Sequence, residues 1–376
     1  MKLKIKRELL LEALNKVSKA ISTKNLIPVL AGIKFDLKKD KLILTASDNN
    51  ITIQYTIIQN SKNKKDFIID KEGNIIIHGK YILDIVRKIP DDFINIEVVD
   101  DTKILISTEN SEFNLNGINE KEYPNINLEE SKNKVILSSN VIKEIVNQVA
   151  FATSNEENKP ILTGINFNIN SDILECNATD SYRLARKIVK LKKSVSDTYN
   201  IVIPSHNLIE FSKIIDNDLD VDINIFSNKV LFKLDNLLYE SRLINGTYPN
   251  TSNLLPKDEK LIVSTYINDF YNVIDRVSIL TSDKEKNIVT LETFDDSLVL
   301  KSSSAEIGKV EEKMNITKNN KENIKISFSA RYMMEALKSF STENIDIYFI
   351  GDIKPILIKS KDDESLTQLV LPIRTY

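Results

Sequence analysis

The chain has no tryptophan and only one cysteine, two histidines, eight glycines and nine prolines in 376 residues. A single cysteine, Cys176, excludes a disulfide framework and a cysteine metal cluster, and its strand context predicts a small buried apolar residue. The two histidines, His78 and His206, lie far apart and give poor support for a metal site or a nucleophile–histidine centre. No apolar run approaches the roughly 18 residues of a membrane span, and the N-terminus lacks the apolar stretch of a signal peptide. The composition predicts a cytoplasmic protein with no metal and no cofactor.

An internal repeat is the most informative feature that the chain does contain. Residues 28–35 read Pro-Val-Leu-Ala-Gly-Ile-Lys-Phe, and residues 160–167 read Pro-Ile-Leu-Thr-Gly-Ile-Asn-Phe. The offset of 132 continues onward and pairs Asp48 with Asp180, and a fainter third copy at Val289 to Ser304 lies at an offset of 256 from the first. Repeats of this length are whole domains rather than solenoid units. We therefore expect three modules, at 1–128, 129–256 and 257–376.

Each third of the chain follows one predicted plan, in which an amphipathic helix precedes a strand pair, further strands, a second helix and a closing hairpin. The six predicted helices cover 7–21, 80–88, 141–154, 205–215, 265–279 and 329–340. The predicted strand pairs are 32–37 with 41–47, 164–170 with 173–179, and 287–294 with 297–302. Two helices against antiparallel sheet in each module give an α+β fold class.

Catalytic signatures are scarce. The sequence contains neither of the glycine-rich phosphate-binding motifs, Gly-x-x-x-x-Gly-Lys and Gly-x-Gly-x-x-Gly. Acidic pairs such as Asp91-Asp92 and Asp362-Asp363 fall in predicted turns, where aspartate suits the backbone geometry. Asp180 beside Arg183 is the best catalytic candidate, but Asp48 occupies the same place in the first repeat, so a structural turn explains both copies more simply. The sequence therefore predicts a protein that is not an enzyme.

One segment, Ala178-Thr-Asp-Ser-Tyr-Arg-Leu-Ala185, resembles the Ala-Thr-Asp-Gly/Ser-x-Arg-Leu-Ala signature of the bacterial DNA polymerase III β subunits, the sliding clamps. Leu26-Ile-Pro-Val-Leu, Gly246-Thr-Tyr-Pro-Asn and the terminal Leu371-Pro-Ile-Arg are similar to further motifs of that family and occur in the same order. The resemblance covers essentially the whole chain. It implies a clamp architecture in which two copies, head to tail, close a ring with helices lining the hole.

The resemblance also implies the function and the partners. The ring would encircle duplex DNA without sequence preference, act as a processivity factor in DNA replication, and tether the replicative polymerase, the clamp loader and repair proteins through short linear motifs. Two alternatives of other classes remain: a nucleic-acid-processing enzyme centred on Asp180 and Arg183, and a protein scaffold that does not bind DNA.

The charge distribution offers a test of DNA binding, because the net charge of −3 reports only the average field. The six predicted helices hold 11 basic and 8 acidic residues of the 51 and 54 in the chain, so they carry +3 and the remainder −6. A positive helix surface suits attraction to phosphates that is independent of sequence. The predicted DNA-facing residues are Lys16, Lys19, Lys24, Lys80, Arg87, Lys88, Lys143, Lys213, Arg276, Arg331 and Lys338.

The family's peptide-binding cleft is the second site that the resemblance implies. An apolar slot with a few polar anchors suits the capture of a short peptide. The residues that would form it are Leu162, Thr179, Tyr182, Arg183, Leu184, Pro249, Leu254, Ser329, Tyr332, Ile353, Leu369, Leu371, Pro372, Ile373 and Arg374. The resemblance further implies a dimer contact between Phe113 and Leu115 of the first module and Ile279 and Leu280 of the third.

Overall fold

The computed structural model describes residues 1–21, 27–61, 63–131, 134–156, 158–251, 254, 260–281 and 287–374. Two compact units are present: Met1–Ser139 with Glu210–Leu243, and Asn140–Ile209 with Ile244–Tyr376. Every strand pair in this part of the chain is antiparallel, and six α-helices accompany the sheets, as the α+β prediction requires. None of the described helices is long and apolar enough to cross a membrane.

The helices lie where the apolar periodicity placed them. They are α1 (Arg7–Val17), α2 (Gly79–Lys88), α3 (Ser139–Val149), α4 (Ser205–Ile214), α5 (Ile267–Ser278) and α6 (Ala330–Lys338). The boundaries differ by a few residues from the predicted ones. The helix α5 begins two residues late because Thr265 and Tyr266 still pair as strand with Ile345 and Asn344.

The strands of the described residues are numbered in chain order. The first nine are β1 (Lys2–Lys6), β2 (Gly32–Leu37), β3 (Lys41–Ser47), β4 (Ile51–Ile58), β5 (Phe67–Lys71), β6 (Gly73–His78), β7 (Phe93–Asp100), β8 (Lys103–Ser107) and β9 (Glu112–Asn116). The next eight are β10 (Lys134–Ser138), β11 (Gly164–Asn170), β12 (Ile173–Thr179), β13 (Arg183–Lys190), β14 (Tyr199–Pro204), β15 (Asp220–Ile225), β16 (Lys229–Leu234) and β17 (Leu237–Arg242). The last nine are β18 (Leu261–Tyr266), β19 (Ile288–Thr293), β20 (Ser297–Ser304), β21 (Gly308–Asn315), β22 (Thr317–Lys318), β23 (Lys325–Ser329), β24 (Asn344–Phe349), β25 (Ile356–Lys359) and β26 (Leu366–Val370).

The first unit contains two sheets, with strand orders β5-β1-β7-β8-β9 and β10-β15-β16-β17-β4-β3-β2-β6. The larger sheet joins strands from the first and second thirds of the chain, because β4 pairs with β17 and places Ile53 opposite Tyr239. Tyr239 is fully buried and packs against the rings of Phe211 and Phe232, with centroid distances of 4.8 and 6.2 Å. An aromatic cluster therefore covers the pairing of β4 with β17.

The second unit contains sheets of order β14-β11-β12-β13-β26-β25-β24-β18-β22 and β21-β20-β19-β23. Here β13 pairs with β26, which joins strands from the second and third thirds of the chain. Apolar contact between the paired Leu184 and Leu369 is joined by polar contacts at this pair. Buried Lys187 donates to Glu144 at 2.6 Å and to Asp363 at 3.1 Å, and buried Gln368 donates to the carbonyl oxygen of Gln148 at 2.9 Å.

The sequence repeat is also a structural repeat. The hairpin β2–β3 recurs at an offset of 132 as β11–β12, and at an offset of 256 as β19–β20, each with antiparallel pairing. The apolar residues predicted on the helix stripes are core residues, as Leu10, Leu14 and Phe270 illustrate by having no exposed surface. Cys176 is fully buried in β12, as predicted, and burial raises the pKa of its thiol well above the ordinary value.

Candidate functional site

A tight turn follows β3 in the first repeat. The Asp48 carboxylate accepts hydrogen bonds from the backbone N–H groups of Asn50 and Ile51, both at 2.9 Å. The Ser47 hydroxyl donates to the carbonyl oxygen of Ile51 at 3.1 Å. Asn49 between them has a φ of 73°, a left-handed conformation that asparagine tolerates better than most residues. Asp48 is thus a structural turn residue.

The same turn follows β12 in the second repeat. Asp180 Oδ1 accepts from the backbone N–H groups of Tyr182 and Arg183 at 2.9 and 3.1 Å, and the Thr179 hydroxyl donates to the Arg183 carbonyl oxygen at 2.5 Å. Ser181 has a φ of 80°, which matches Asn49 in the first copy. The interpretation of Asp48 and Asp180 as turn residues is confirmed, and the catalytic interpretation of Asp180 loses its basis.

The second copy adds a cation that the first lacks, since Arg183 stands where the first copy has Ile51. Its side chain is only 10% exposed and is bound to Asp180 Oδ2, through Nε, at 2.9 Å. Nη1 pairs with the Glu335 carboxylate, and Nη2 donates to the Phe151 carbonyl oxygen at 2.6 Å. The guanidinium carbon lies 4.5 Å from the centre of the Tyr332 ring and 5.2 Å from that of Phe151. The turn therefore fixes a buried cation between two aromatic rings.

A groove of about 690 Å³ lies beside this cation in the second unit. Its walls come from the 180–183 turn, from the start of α6 and from the C-terminal segment. The lining residues are Tyr182, Asn287, Ser329, Arg331, Tyr332, Leu371, Pro372, Ile373 and Arg374. The rings of Tyr182 and Tyr332 stack with centroids 6.4 Å apart, and Tyr182 is 59% exposed. The result is an open slot with aromatic, aliphatic and cationic walls.

The backbone holds the C-terminal segment in place as one wall of this groove. The N–H of Leu371 donates to the carbonyl oxygen of Tyr182 at 2.9 Å, and the N–H of Ile373 donates to that of Ser327 at 2.7 Å. Ser329 caps α6, and its hydroxyl accepts from the N–H of Tyr332 at 3.5 Å. The main chain thus positions the residues that the sequence nominated for the cleft.

The other nominated cleft residues lie in different surroundings. Leu184 and Leu369 are buried with Leu357 in a small apolar cluster against which Leu371 packs, so they lie behind the groove wall. Leu162 packs with Val202 and Tyr248 in a separate cluster, where burial raises the pKa of the Tyr248 hydroxyl. Thr179 and Arg183 serve the turn described above. Pro249, Leu254 and Ile353 are exposed, as a peptide-contacting residue would be, but they do not line the 690 Å³ groove.

The predicted DNA-facing residues differ in the side chains that they contact. In the first unit, Lys19, Lys80 and Arg87 border a second groove of about 600 Å³ between α1 and α2. Arg87 donates to Asn15 at 3.5 Å, and Lys80, Arg87 and the neighbouring Lys88 are exposed. These cations are the nominated ones that the fold brings together.

Several members of this set, Lys19 among them, have an acidic or aromatic partner. Lys16 is held by Glu12 at 3.1 Å and by Asp216 at 3.3 Å, and its side chain is only 15% exposed. Burial lowers the pKa of Lys16, but these carboxylates and Tyr55 outweigh it and raise the pKa. Lys19 and Lys213 share Glu210, at 3.8 and 2.7 Å.

The remaining members belong to the second unit or lie outside the description. Arg276 forms a two-pronged pair with Glu312, which lowers the pKa of that carboxyl, and a hydrogen bond from Lys338 to Tyr271 raises the pKa of Lys338. Lys143 is half-buried and Arg331 lines the groove beside α6. Lys24 lies outside the described residues.

The predicted dimer residues lie at sheet edges or helix ends. Phe113 and Leu115 are half-buried on β9, the edge strand of the five-stranded sheet, opposite buried Ile106 and Ile104. Ile279 caps the C-terminus of α5 and is 73% exposed, and Leu280 is half-buried. Exposed aliphatic groups of this size at one helix end are candidates for burial by a partner.

Sequence reasoning missed three residues around the groove. Asn287 lines it, while Glu335 and Phe151 hold Arg183 from behind. Arg331 was nominated for DNA but lines the groove. A signal existed for Glu335, because it follows Tyr332 by three residues on a predicted helix and therefore shares its face. No local pattern pointed to Phe151 or Asn287.

Known protein families match the chain in three successive segments. Family models match in series: the DNA polymerase III beta subunit N-terminal domain over residues 1–127, its central domain over 136–250 and its C-terminal domain over 252–374. These matches confirm three modules in order, whereas the boundaries predicted at 128 and 256 stay predictions.

Individual relatives align over the full length. Proteins called Beta sliding clamp from Staphylococcus epidermidis and Staphylococcus aureus are each 39% identical over 377 residues, covering 100% of both chains. The crystal structure of a DNA polymerase sliding clamp from Bacillus subtilis has a TM-score of 0.96 at 37% identity, again with 100% of both chains covered. The crystal structure of a DNA polymerase III beta chain from Streptococcus pneumoniae has a TM-score of 0.93 at 32% sequence identity, with 100% of both chains covered. With three family domains in order and relatives similar over its whole length, this chain belongs to the DNA polymerase III beta subunit family.

Proposed function

We propose that this chain is a DNA sliding clamp, a ring-shaped processivity factor that encircles duplex DNA. It tethers the replicative polymerase, the clamp loader and repair proteins, each of which inserts a short linear motif into a peptide-binding groove. The chain is a non-catalytic subunit of the DNA polymerase III holoenzyme and acts in the cytoplasm, during DNA replication. The full-length similarity to proteins called Beta sliding clamp supports this function.

The observation that carries the proposal is the groove beside α6. Stacked Tyr182 and Tyr332 form one aromatic wall, and the C-terminal segment with Leu371 and Ile373 forms an aliphatic one. Backbone hydrogen bonds hold both walls, so the slot exists before any ligand arrives. A preformed apolar slot with a few polar groups suits a short peptide with one or two apolar anchor side chains.

DNA contact in this proposal is electrostatic and independent of sequence. Lys19, Lys80 and Arg87 around the groove between α1 and α2 are the best-placed group, because they border one concave surface. Lys88, Lys143, Lys213, Arg276, Arg331 and Lys338 belong to the same proposed lining. Phosphate contacts of this kind weaken steeply with salt, and because they carry no sequence information, a closed ring can slide rather than stop at one site.

The dimer in this proposal is head to tail. The edge strand β9 with Phe113 and Leu115 meets the third module of the partner near Ile279 and Leu280. An edge strand offers unpaired backbone groups to another chain, and β21 is likewise an edge strand of its four-stranded sheet. A contact between two different surfaces closes into a ring when its rotation permits.

Retention on circular DNA tests the proposal. The purified chain is loaded on nicked circular DNA with a clamp loader and ATP, and then followed by sedimentation before and after the DNA is linearised. We expect a dimer, roughly twice 42.9 kDa, that stays on circles and runs off linear ends. Linear DNA with both ends blocked by a bound protein is the matched control and should retain the ring. A monomer that stays on open linear DNA would overturn the proposal.

A further inference from the structure

Each of the three guanidinium nitrogens of Arg183 already makes a polar contact within the protein. Its Nε pairs with Asp180 at 2.9 Å, its Nη1 with Glu335, and its Nη2 donates to the Phe151 carbonyl oxygen at 2.6 Å. Two carboxylates therefore face its single positive charge, and the side chain is 10% exposed. Arg183 is also absent from the lining of the 690 Å³ groove. A peptide carboxylate in that groove would therefore have to compete with two acids already in place.

What Arg183 does contact is the aromatic wall. Its guanidinium lies between the rings of Phe151 and Tyr332, at 5.2 and 4.5 Å, within the range of cation–π attraction. Tyr332 in turn stacks on Tyr182, and both tyrosines line the groove. The cation therefore contacts the wall directly at Tyr332.

The two residues that hold this cation come from different elements of the second unit. Glu335 lies three residues after Tyr332 on α6, so one helix face supplies both the ring and the carboxylate that holds the cation against it. Phe151 lies in the 3-10 turn at Ala150–Ala152 and supplies a second ring and a carbonyl oxygen. A second cavity, of about 610 Å³, includes Phe151, Arg183 and Glu335 in its lining.

We propose that Glu335 and Phe151 are positioning residues of the peptide groove, which act through Arg183 to hold the Tyr332–Tyr182 wall in its binding geometry. The inference rests on the proposed function of that groove. Order in the wall before binding removes part of the entropy that a peptide would otherwise lose to immobilise it. The Arg183–Asp180 pair is largely buried, with side chains 10% and 12% exposed, so salt screens it less than it screens surface pairs, whereas Glu335 is 38% exposed.

The test uses the full-length chain and a fluorescein-labelled synthetic peptide from the replicative polymerase, with affinity and dissociation rate read by anisotropy. Glu335→Gln is expected to weaken binding about tenfold, through faster dissociation, and Glu335→Asp to recover part of the loss. In a Tyr332→Ala background, Glu335→Gln should add no further loss, because the wall that it positions is gone. Phe151→Leu, which keeps the carbonyl oxygen and removes the ring, should weaken binding in the same direction.

Glu312→Gln is the matched control, since it also removes a carboxylate paired with an arginine, and it should leave peptide affinity unchanged. Additive losses from Glu335→Gln and Tyr332→Ala would overturn the inference, as would unchanged affinity in Glu335→Gln. A gain in affinity would mean that freed Arg183 binds the peptide directly, which also overturns it. A wild-type chain that binds no such peptide would instead remove the proposed function, and thermal unfolding of each variant identifies any that fail to fold.

Discussion

At the scale of single residues, the same turn occurs in the first and second repeats, and the second copy has an additional role. Asp48 and Asp180 accept the same pair of backbone hydrogen bonds, and Asn49 and Ser181 have the same left-handed backbone. Only the second copy has an arginine to occupy the remaining carboxylate oxygen. The signature that resembles the family is thus a structural turn to which a buried cation has been added.

This difference predicts different outcomes for one substitution at the two positions. Asp48→Ala removes the carboxylate that accepts hydrogen bonds from the N–H groups of Asn50 and Ile51. It should cost about 1–2 kcal/mol of unfolding free energy with no change in peptide affinity. Asp180→Ala should cost stability and also weaken peptide binding, because Arg183 loses one of its two carboxylates. Urea unfolding and peptide anisotropy measure the two effects. Equal peptide affinity in both variants would contradict the distinction.

At the scale of elements, half-buried Asp363 lies just before β26 and pairs with Lys187 of β13 at 3.1 Å. Burial raises the pKa of Asp363, but hydrogen bonds from Ser365 and from Lys187 outweigh it, so the pKa is lowered overall. A lowered carboxyl pKa contributes stability that is complete above the unfolded value, near 3.9, and is lost as pH falls through the folded value. Acid should therefore weaken this contact before it affects the apolar core.

The expected result is specific to one carboxylate. The unfolding temperature of Asp363→Asn should lie below that of the wild type from about pH 8 down to about pH 5, and the gap should close as pH falls below about 4. Asp362→Asn, at the exposed neighbouring position, is the control and should follow the wild type. Calorimetric scans over this pH range give the comparison. A gap that stayed constant to the lowest pH would assign the loss to packing rather than to charge.

The C-terminal segment is an element of the groove rather than of the core. Leu371, Pro372, Ile373 and Arg374 line the slot, and the last strand, β26, ends at Val370. Deleting the last five residues, 372–376, should abolish peptide binding and leave the dimer intact. Anisotropy and sedimentation velocity report the two properties. Unchanged peptide affinity would remove the deleted side chains from the site.

At the scale of the whole molecule, one plan of helix, hairpin and helix is used three times in one chain. Its assembly into a ring would require edge strands and exposed aliphatic groups to meet a second copy. Ile279, at 73% exposure, is the most exposed large apolar residue in the described part of the chain. Such a residue contributes little to the folded monomer and gains most of its burial from association.

Dimer formation should consequently depend on the end of α5. Ile279→Ala together with Leu280→Ala is expected to give mostly monomer in sedimentation velocity, because it removes apolar area from the proposed contact. Val99→Ala, at another exposed aliphatic position in a strand, is the control and should remain dimeric. A double variant that still sediments as a dimer would move the interface away from this helix end.

Much of the fold could be predicted because the spacing of apolar residues along the chain indicates helices and strands locally. The stripe of α1 residues and the hairpin repeated at offsets of 132 and 256 were identified from spacing alone, since side-chain period follows backbone geometry. The pairing of β4 with β17 and of β13 with β26 was not predicted, because those strands are far apart in sequence and no local pattern selects the partner.

The sequence by itself determined the repeat, the order of helices and strands and the Asp48 and Asp180 turns, whereas the groove residues in the C-terminal segment were implied by the family resemblance. The tertiary structure decided which cations are already paired, as Lys16 is with Glu12 and Asp216, and which line a cavity, as Arg331 does. It also decided that Arg183 pairs with Glu335 and with the Phe151 carbonyl oxygen and does not line the groove. The physical reason is that the charge state and exposure of a side chain depend on neighbours brought from distant segments, which residue type and spacing do not encode.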